Sequence, residues 1–138
     1  MERLAPPDSA RVFAAGEPVS VLTAEGLDRR LDYRAPAGGA RAGDLVEVPL
    51  GPRRVLGAVW GPGEGCDASR LRDVVRVLDA PPLSPGMRAF LGRAADYTLT
   101  PLTAMLRLAT RAPGLGAPPS ARPVLRATGR DPDRMTEA

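Results

Sequence analysis

The sequence lacks several residue types that carry enzyme chemistry. It contains no histidine, so the commonest general base and metal ligand is absent. It contains no lysine, which excludes a P-loop lysine and a Schiff base. A single cysteine, Cys66, and scattered carboxylates do not make a zinc or calcium site. These absences predict that the chain is not an enzyme by itself and holds no metal or other cofactor.

Long apolar runs are also missing. No stretch approaches the roughly eighteen apolar residues that span a bilayer, and residues 1–18 lack the apolar core of a signal peptide. A lone cysteine, which can form no internal disulfide, is typical of a reducing compartment. We therefore expect a soluble, cytoplasmic protein.

Positive charge exceeds negative charge only slightly. The nineteen basic residues, all arginine, outnumber the sixteen acidic ones by three, so no broad basic tract indicates nucleic acid. The exclusive use of arginine is also what a GC-rich genome produces. A guanidinium group can nevertheless hold two phosphate oxygens at once and stack on bases. Individual arginines therefore remain candidates for contacts with nucleic acid.

The region from residue 19 to residue 80 has the pattern of short strands separated by turns. Nine of the eleven valines lie between Val19 and Val77, and β-branched residues favour strands. Turns rich in glycine and proline interrupt this region at short intervals, which favours a small antiparallel barrel or meander of five to six strands. The predicted strands are Val19–Ala24, Leu31–Arg34, Leu45–Pro49, Arg54–Trp60 and Leu71–Asp79.

Two of these strands carry further predictions. Arg54–Trp60 is apolar on both faces and is predicted to be central in the sheet. In the last strand, alternation places one apolar set on one face and two arginines on the other. The apolar set is Leu71, Val75 and Val77, and the arginines are Arg72 and Arg76.

From Ser84 the apolar period changes to that of a helix. Ser84 followed by Pro85 is a helix start, and Thr100 followed by Pro101 repeats the signal. The second helix is predicted to stop near Pro113. Two short helices packed as a hairpin against the barrel would give an α+β fold. The first helix is predicted to face the barrel with Met87, Phe90, Leu91, Ala94 and Thr98.

These elements divide the chain into three parts. Residues 1–18 are predicted to be an N-terminal extension, and residues 19–113 the folded domain, β-rich over 19–80 and helical over 84–112. Residues 114–138 show no sustained period and are predicted to be a linker. Because residues 135–138 look like the first turn of another element, we expect the chain to be the front of a longer protein.

Five segments, taken in order, resemble one protein family. The segments are LDYRAP (31–36), GDLVEVPLG (43–51), VLGAV (55–59), LRDVVRVLD (71–79) and ADYTLTPL (95–102). In order and spacing they are similar to the N-terminal DNA-binding domain of primosomal protein N′, the replication-restart helicase PriA, most of all in its alphaproteobacterial members. The resemblance implies an ATP-dependent 3′–5′ helicase as the parent protein, with ATP, magnesium and zinc sites and a winged-helix domain outside this chain.

The resemblance also implies a specific ligand, the free 3′-OH end of the nascent leading strand at a stalled fork. The family holds the terminal nucleotide in a shallow pocket at four positions, which fall here on Leu31, Asp32, Gly51 and Arg72. A carboxylate accepts a hydrogen bond from a hydroxyl, glycine permits close approach, and a cation holds phosphate. Leu31 stands where many relatives carry phenylalanine, and Arg72 where they often carry lysine.

The remaining site predictions concern arginines and aromatic residues. Arg53 and Arg54, in the turn after Gly51, and Arg76, on the predicted strand face of Arg72, are candidates for phosphate contacts. Tyr33 and Trp60 are predicted to belong to the core or the barrel rim, with Trp60 alternatively a stacking platform for a base. Tyr97 is predicted to pack at the end of its helix.

Several alternatives stay open from the residues alone. Asp32 could bond a turn amide, Gly51 could serve only to turn the chain, and Arg72 with Arg76 could form a solvated face. DNA is the predicted partner, and the location is the cytoplasm at the nucleoid. The competing function is a protein-interaction barrel that docks single-strand-binding protein or primosome partners without touching DNA.

Overall fold

The strands lie between Val12 and Val77 of the computed structural model, which describes residues 11–118 and 120–129. Two helices follow, α1 at Pro85–Thr98 and α2 at Leu102–Ala109, and a short 3-10 turn lies at Ala68–Arg70. The strands are β1 (Val12–Phe13), β2 (Pro18–Thr23), β3 (Arg30–Arg34), β4 (Ala40–Arg41), β5 (Leu45–Leu50), β6 (Arg53–Pro62), β7 (Arg72–Asp73) and β8 (Arg76–Val77).

Six of the strands form one curled sheet in the order β7-β3-β2-β6-β5-β8. Its pairs are antiparallel except for β3 with β7, which is parallel. The chain between β7 and β8 draws the two edges together: Val74 N–H donates to the Arg34 carbonyl and Val75 N–H to the Glu47 carbonyl. The predicted α+β fold, a small barrel followed by a helical hairpin, is confirmed.

The sheet buries both of its faces because β2 and β6 are apolar on both sides. Alternate residues of a strand point to opposite faces. Val19 and Val21 therefore enter the core inside the barrel, while Leu22 enters a second core under the helices. We call these the inner core and the outer core. Strand β6 contributes to both and lies between β2 and β5, so its prediction as a central strand is confirmed.

The helices cover the outer core. Helix α1 starts as predicted, because the Ser84 hydroxyl accepts a hydrogen bond from the Met87 N–H at 3.1 Å. Leu106 of α2 is fully buried against the sheet. The predicted stripe of α1 is wrong, since the buried residues are Arg88, Leu91 and Ala95.

The error in α1 is one of helix rotation. Apolar residues occur around most of this helix, so their helical spacing alone does not determine which side packs against the sheet. Met87 and Phe90 are exposed, and Tyr97 is 91% exposed, so its predicted packing at the helix end is also wrong. Leu91 is the one residue shared by the predicted stripe and the buried face.

The predicted strand Leu71–Asp79 is also corrected. It is divided into β7 and β8, which pair with opposite edges of the sheet, so the alternation is reset between them. Val74 and Leu78 are buried as a result, whereas Val75 and Val77 are exposed, contrary to the predicted faces.

A short strand before residue 19 contributes to the inner core. Val12 and Phe13 pair with Arg41 and Ala40, and the Phe13 side chain is fully buried. The Arg11 guanidinium lies 5.2 Å from the centroid of the Phe13 ring, a cation–π distance. Residues 11–17 are therefore packed onto the barrel.

Replacing Phe13 tests this packing. Phe13→Ala removes a fully buried ring and should cost about 3–5 kcal/mol in the free energy of unfolding, measured by urea denaturation. Val12→Ala, which trims the exposed neighbour in the same short strand, is the matched control and should cost little. Similar small losses for both variants would show that the strand is not part of the folded unit.

Candidate functional site

The first two predicted site residues, Leu31 and Asp32, point to opposite faces of β3. Leu31 is half-buried and packs against the inner core, as does Tyr33 two residues later. Asp32 projects to the outer face, directly across from Ser20 of β2. A ligand that touches both residues must therefore reach around the edge of this strand.

The carboxylate of Asp32 holds the loop that follows β6. It accepts hydrogen bonds from the Glu64 N–H, at 3.0 and 2.9 Å to its two oxygens, and from the Cys66 N–H at 3.1 Å. A carboxylate offers about four acceptor positions. Oδ1 accepts from the Glu64 N–H, a donor that it shares with Oδ2. Asp32 thus has a structural partner in this loop and retains acceptor capacity on Oδ1.

Gly51 and Arg72 are brought into direct contact. The Arg72 guanidinium donates to the Gly51 carbonyl at 2.9 Å, which uses one of its five N–H groups. Gly51 has φ +58°, a left-handed conformation that suits its place in the turn between β5 and β6. A side chain built at Gly51 would meet nothing within 4 Å, so the space above this turn is open.

Tyr33 lies beneath this pair and is part of the core, as predicted. It is the register partner of Arg72, and its hydroxyl donates to the Pro49 carbonyl at 2.7 Å. Burial raises the pKa of the Tyr33 hydroxyl, an effect that the nearby Arg72 charge partly opposes. The phenol therefore stays a neutral donor that anchors the end of β5.

The other candidate arginines form exposed ion pairs. Arg53 lies 3.3 Å from Glu25, while Arg54 and Arg76 share Glu47 at 3.8 and 3.0 Å. Exposed pairs of this kind contribute about 0–1 kcal/mol each. These guanidinium groups can therefore exchange a carboxylate for a phosphate at little cost.

A pocket of about 470 Å³ lies beside Asp32, at the boundary of the two cores, because Phe13 and Ala42 of the inner core line it together with Trp60. Trp60, which also packs against the outer core, lies at this pocket. Sequence reasoning missed Arg88 and Ser20, both of them buried side chains of its wall. The available signal was the spacing of Arg88, Leu91 and Ala95, an i, i+3, i+7 stripe that begins with an arginine.

Two other features concern metals and membranes. Within residues 11–118 and 120–129, no group of three or more histidine, cysteine, aspartate and glutamate side chains could hold a metal ion. In the same residues, neither helix has the length and apolar character needed to cross a membrane.

Removing the Asp32 carboxylate should release the loop that it holds. Asp32→Ala deletes the acceptor of two backbone amides and should cost about 1–2 kcal/mol, with faster hydrogen exchange at the amides of Glu64 and Cys66. Asp73→Ala is the control, because Asp73 is an exposed carboxylate that bonds the Arg34 side chain, at 2.7 Å, and holds no backbone amide of the Glu64–Cys66 loop. Unchanged exchange at Glu64 and Cys66 in the Asp32 variant would contradict this role.

Comparison with known families agrees with the resemblance and with the fold. The model of the PriA 3′ DNA-binding domain family matches residues 19–111, which is more than half of the chain. No curated protein sequence matches the chain significantly. The match covers the curled sheet from β2 onward and both helices. A 3′ DNA-binding domain alone is not catalytic. The chain belongs to the PriA 3′ DNA-binding domain family.

Proposed function

We propose that this chain recognises the free 3′-OH end of the nascent leading strand at stalled replication forks, as part of a replication-restart helicase. The observation that supports this best is the contact between Arg72 and Gly51 beside open space, at two of the four positions that the family resemblance predicts. In this proposal the ATP, magnesium and zinc sites belong to other parts of the helicase.

The Asp32 carboxylate supplies the preference for a hydroxyl end. Its Oδ1 can accept a hydrogen bond from a terminal sugar while Oδ2 keeps the amides of Glu64 and Cys66. A 3′-phosphate at the same place would lose the donor and bring two negative charges together. The acid therefore favours a 3′-OH over a 3′-phosphate.

Arg72 supplies affinity without sequence preference. Four of its five N–H groups are not used by the Gly51 carbonyl and are available to phosphate oxygens. Phosphate contacts fix the position of a strand but do not read its bases. Leu31, which packs against the inner core, offers an apolar edge to the terminal base in place of an aromatic stack. We therefore expect end binding that is largely independent of sequence.

Three oligonucleotides that differ only at the 3′ terminus test the proposal: one with a 3′-OH, one with a dideoxy end and one with a 3′-phosphate. By fluorescence anisotropy, the chain should bind the 3′-OH end about tenfold or more tightly than the dideoxy end, as a hydrogen bond to a charged group would give. The 3′-phosphate should bind most weakly. Equal affinities for all three would contradict the proposal.

In the same assay, Asp32→Asn should abolish most of the preference for the 3′-OH end, since its amide is a weaker acceptor and can donate to a phosphate. The control is Asp73→Asn, which makes the same change of charge at an exposed carboxylate and should keep the preference. Retention of the preference in both variants would place the end elsewhere.

The exposed side of α1 supports a second candidate function, the docking of another protein. Met87, Phe90 and Tyr97 fall on one side of this helix, and all three are exposed. An apolar side of this kind is typical of interaction sites. Single-strand-binding protein and primosome partners are the proposed occupants of this side.

A double variant, Phe90→Ser with Tyr97→Ser, tests the second function. It should weaken binding to purified single-strand-binding protein or primosome proteins and leave the 3′-terminus preference intact, because both side chains are exposed on α1 whereas Asp32 and Arg72 belong to the sheet. Unchanged binding to those proteins would remove this candidate.

A further inference from the structure

The structure contains a second polar site, which the resemblance does not predict. Three buried side-chain atoms in residues 11–118 and 120–129 lack a hydrogen-bond partner: Ser20 Oγ, Arg88 Nε and Arg88 NH2. Both residues line the pocket of about 470 Å³ beside Asp32. Buried polar groups are nearly always paired in folded proteins. Their coincidence in one pocket indicates that a ligand supplies the missing acceptor.

Arg88 is an unusual buried cation. Only 4% of the residue is exposed, and its NH1 group donates to the Trp60 carbonyl at a long 3.4 Å. No carboxylate forms an ion pair with it within the described residues. Burial lowers the pKa of its guanidinium, but an arginine remains charged. A buried unpaired charge is destabilising, and one long hydrogen bond leaves the guanidinium free to turn toward an anion.

The wall of the pocket is positively charged. Three arginines and one glutamate line it, which gives a net formal charge of +2. The glutamate, Glu64, is paired with Arg30 at 3.1 Å, and Arg11 lies 3.7 Å from Glu17. Both pairs are partly exposed and can open at the rim. Three arginines and one serine line a single space, a composition that suits the oxygens of a phosphate group.

Trp60 adds a flat aromatic surface to the pocket. Between β2 and β6 the register shifts by one residue, because Ser20 pairs with Gly61 and Val21 with Val59. Trp60 is the extra residue of this β-bulge, and bulges commonly re-aim a side chain next to a binding site. The half-buried indole lines the pocket. The volume lies within the usual range for small-molecule sites, so it can hold a phosphate and part of a sugar or base.

The pocket adjoins the predicted 3′-end residues but is separate from them. None of Leu31, Asp32, Gly51 and Arg72 lines it. Ser20 is the register partner of Asp32, and Glu64 both lines the pocket and donates its N–H to Asp32. A phosphate here would therefore lie beside the loop that Asp32 holds.

We infer that this pocket binds the phosphate group of a nucleotide, with the Arg88 guanidinium as its central ligand and the Ser20 hydroxyl as a second donor. The phosphate belongs either to a DNA strand or to a free nucleotide. The inference stands independently of where the 3′ end binds.

Thermal unfolding at constant ionic strength tests the site with two probes, inorganic phosphate and thymidine 5′-monophosphate. Both should raise the Tm of the chain relative to chloride, because a ligand that binds the folded state stabilises it. Arg88→Met should weaken phosphate binding at least tenfold and should not lower the Tm in chloride, since it removes an unpaired buried charge. Arg93→Met is the matched control: it removes an exposed arginine of the same helix and should keep the full response.

Nuclear magnetic resonance of the unmodified chain gives a reading that does not depend on how the variants fold. The Arg88 Nε–H signal, identified by its loss in Arg88→Lys, should shift on addition of inorganic phosphate. No shift, or an equal Tm response in Arg88→Met and Arg93→Met, would overturn the inference.

Oligonucleotide binding distinguishes the two sources of phosphate and separates this site from the proposed 3′-end function. If DNA supplies the phosphate, Arg88→Met weakens binding of all oligonucleotides but keeps the preference for a 3′-OH terminus. If a free nucleotide supplies it, the variant loses the Tm response to thymidine monophosphate and inorganic phosphate but keeps its affinity for oligonucleotides. Asp32→Asn should lose the terminus preference and keep the phosphate response, so either idea can fail alone.

Discussion

The burial of both faces of one sheet is the constraint on which the rest of this structure depends. Strands β2 and β6 are apolar on both sides, so the sheet must close on itself and also be covered by helices. Where the outer layer is complete, Leu22 and Ala58 meet Leu106 of α2. Towards the other end of β2 two buried side chains are polar, namely Ser20 of the strand and Arg88 of α1. The pocket therefore lies where the outer core ends, against Phe13 and Ala42 of the inner core.

The loop after β6 connects the Asp32 carboxylate with the pocket that Ser20 and Arg88 line. Asp32 binds its backbone amides, and the same loop contributes Glu64 to the pocket wall. Asp32 therefore has a structural role that is compatible with the proposed hydrogen bond to a strand end, because a carboxylate has acceptor positions to spare. Gly51 similarly turns the chain and presents a carbonyl to Arg72. At each of these positions the observed structural role is compatible with the proposed binding role, so the two interpretations of the sequence need not exclude each other.

Local sequence patterns predicted much of the fold. The period of two and the turns placed β2, β3, β5 and β6 to within about two residues, and the Ser84–Pro85 signal placed the start of α1. Patterns failed where tertiary contacts decide the outcome. The two-residue strand containing Phe13 is too short to show a period, and α1 has apolar residues on several sides. The segment 71–79 changes pairing partner in its middle, which no local alternation could reveal.

The site was predictable to a different degree. Positions 31, 32, 51 and 72 followed from the resemblance, and the structure links Gly51 with Arg72. Their role as a 3′-end site stays a prediction. The helical spacing of Arg88, Leu91 and Ala95 was visible in the sequence but did not single out Arg88 among nineteen arginines. Its significance comes from burial with two guanidinium nitrogens unpaired within the described residues.

A crystal structure of the chain with a short oligonucleotide that ends in a free 3′-OH tests the central claim most directly. The account predicts the terminal hydroxyl oxygen within roughly 2.5–3.0 Å of Asp32 Oδ1, with the amides of Glu64 and Cys66 still bonded to the same carboxylate. A strand end bound elsewhere, with Asp32 contacting only its own loop, would contradict it.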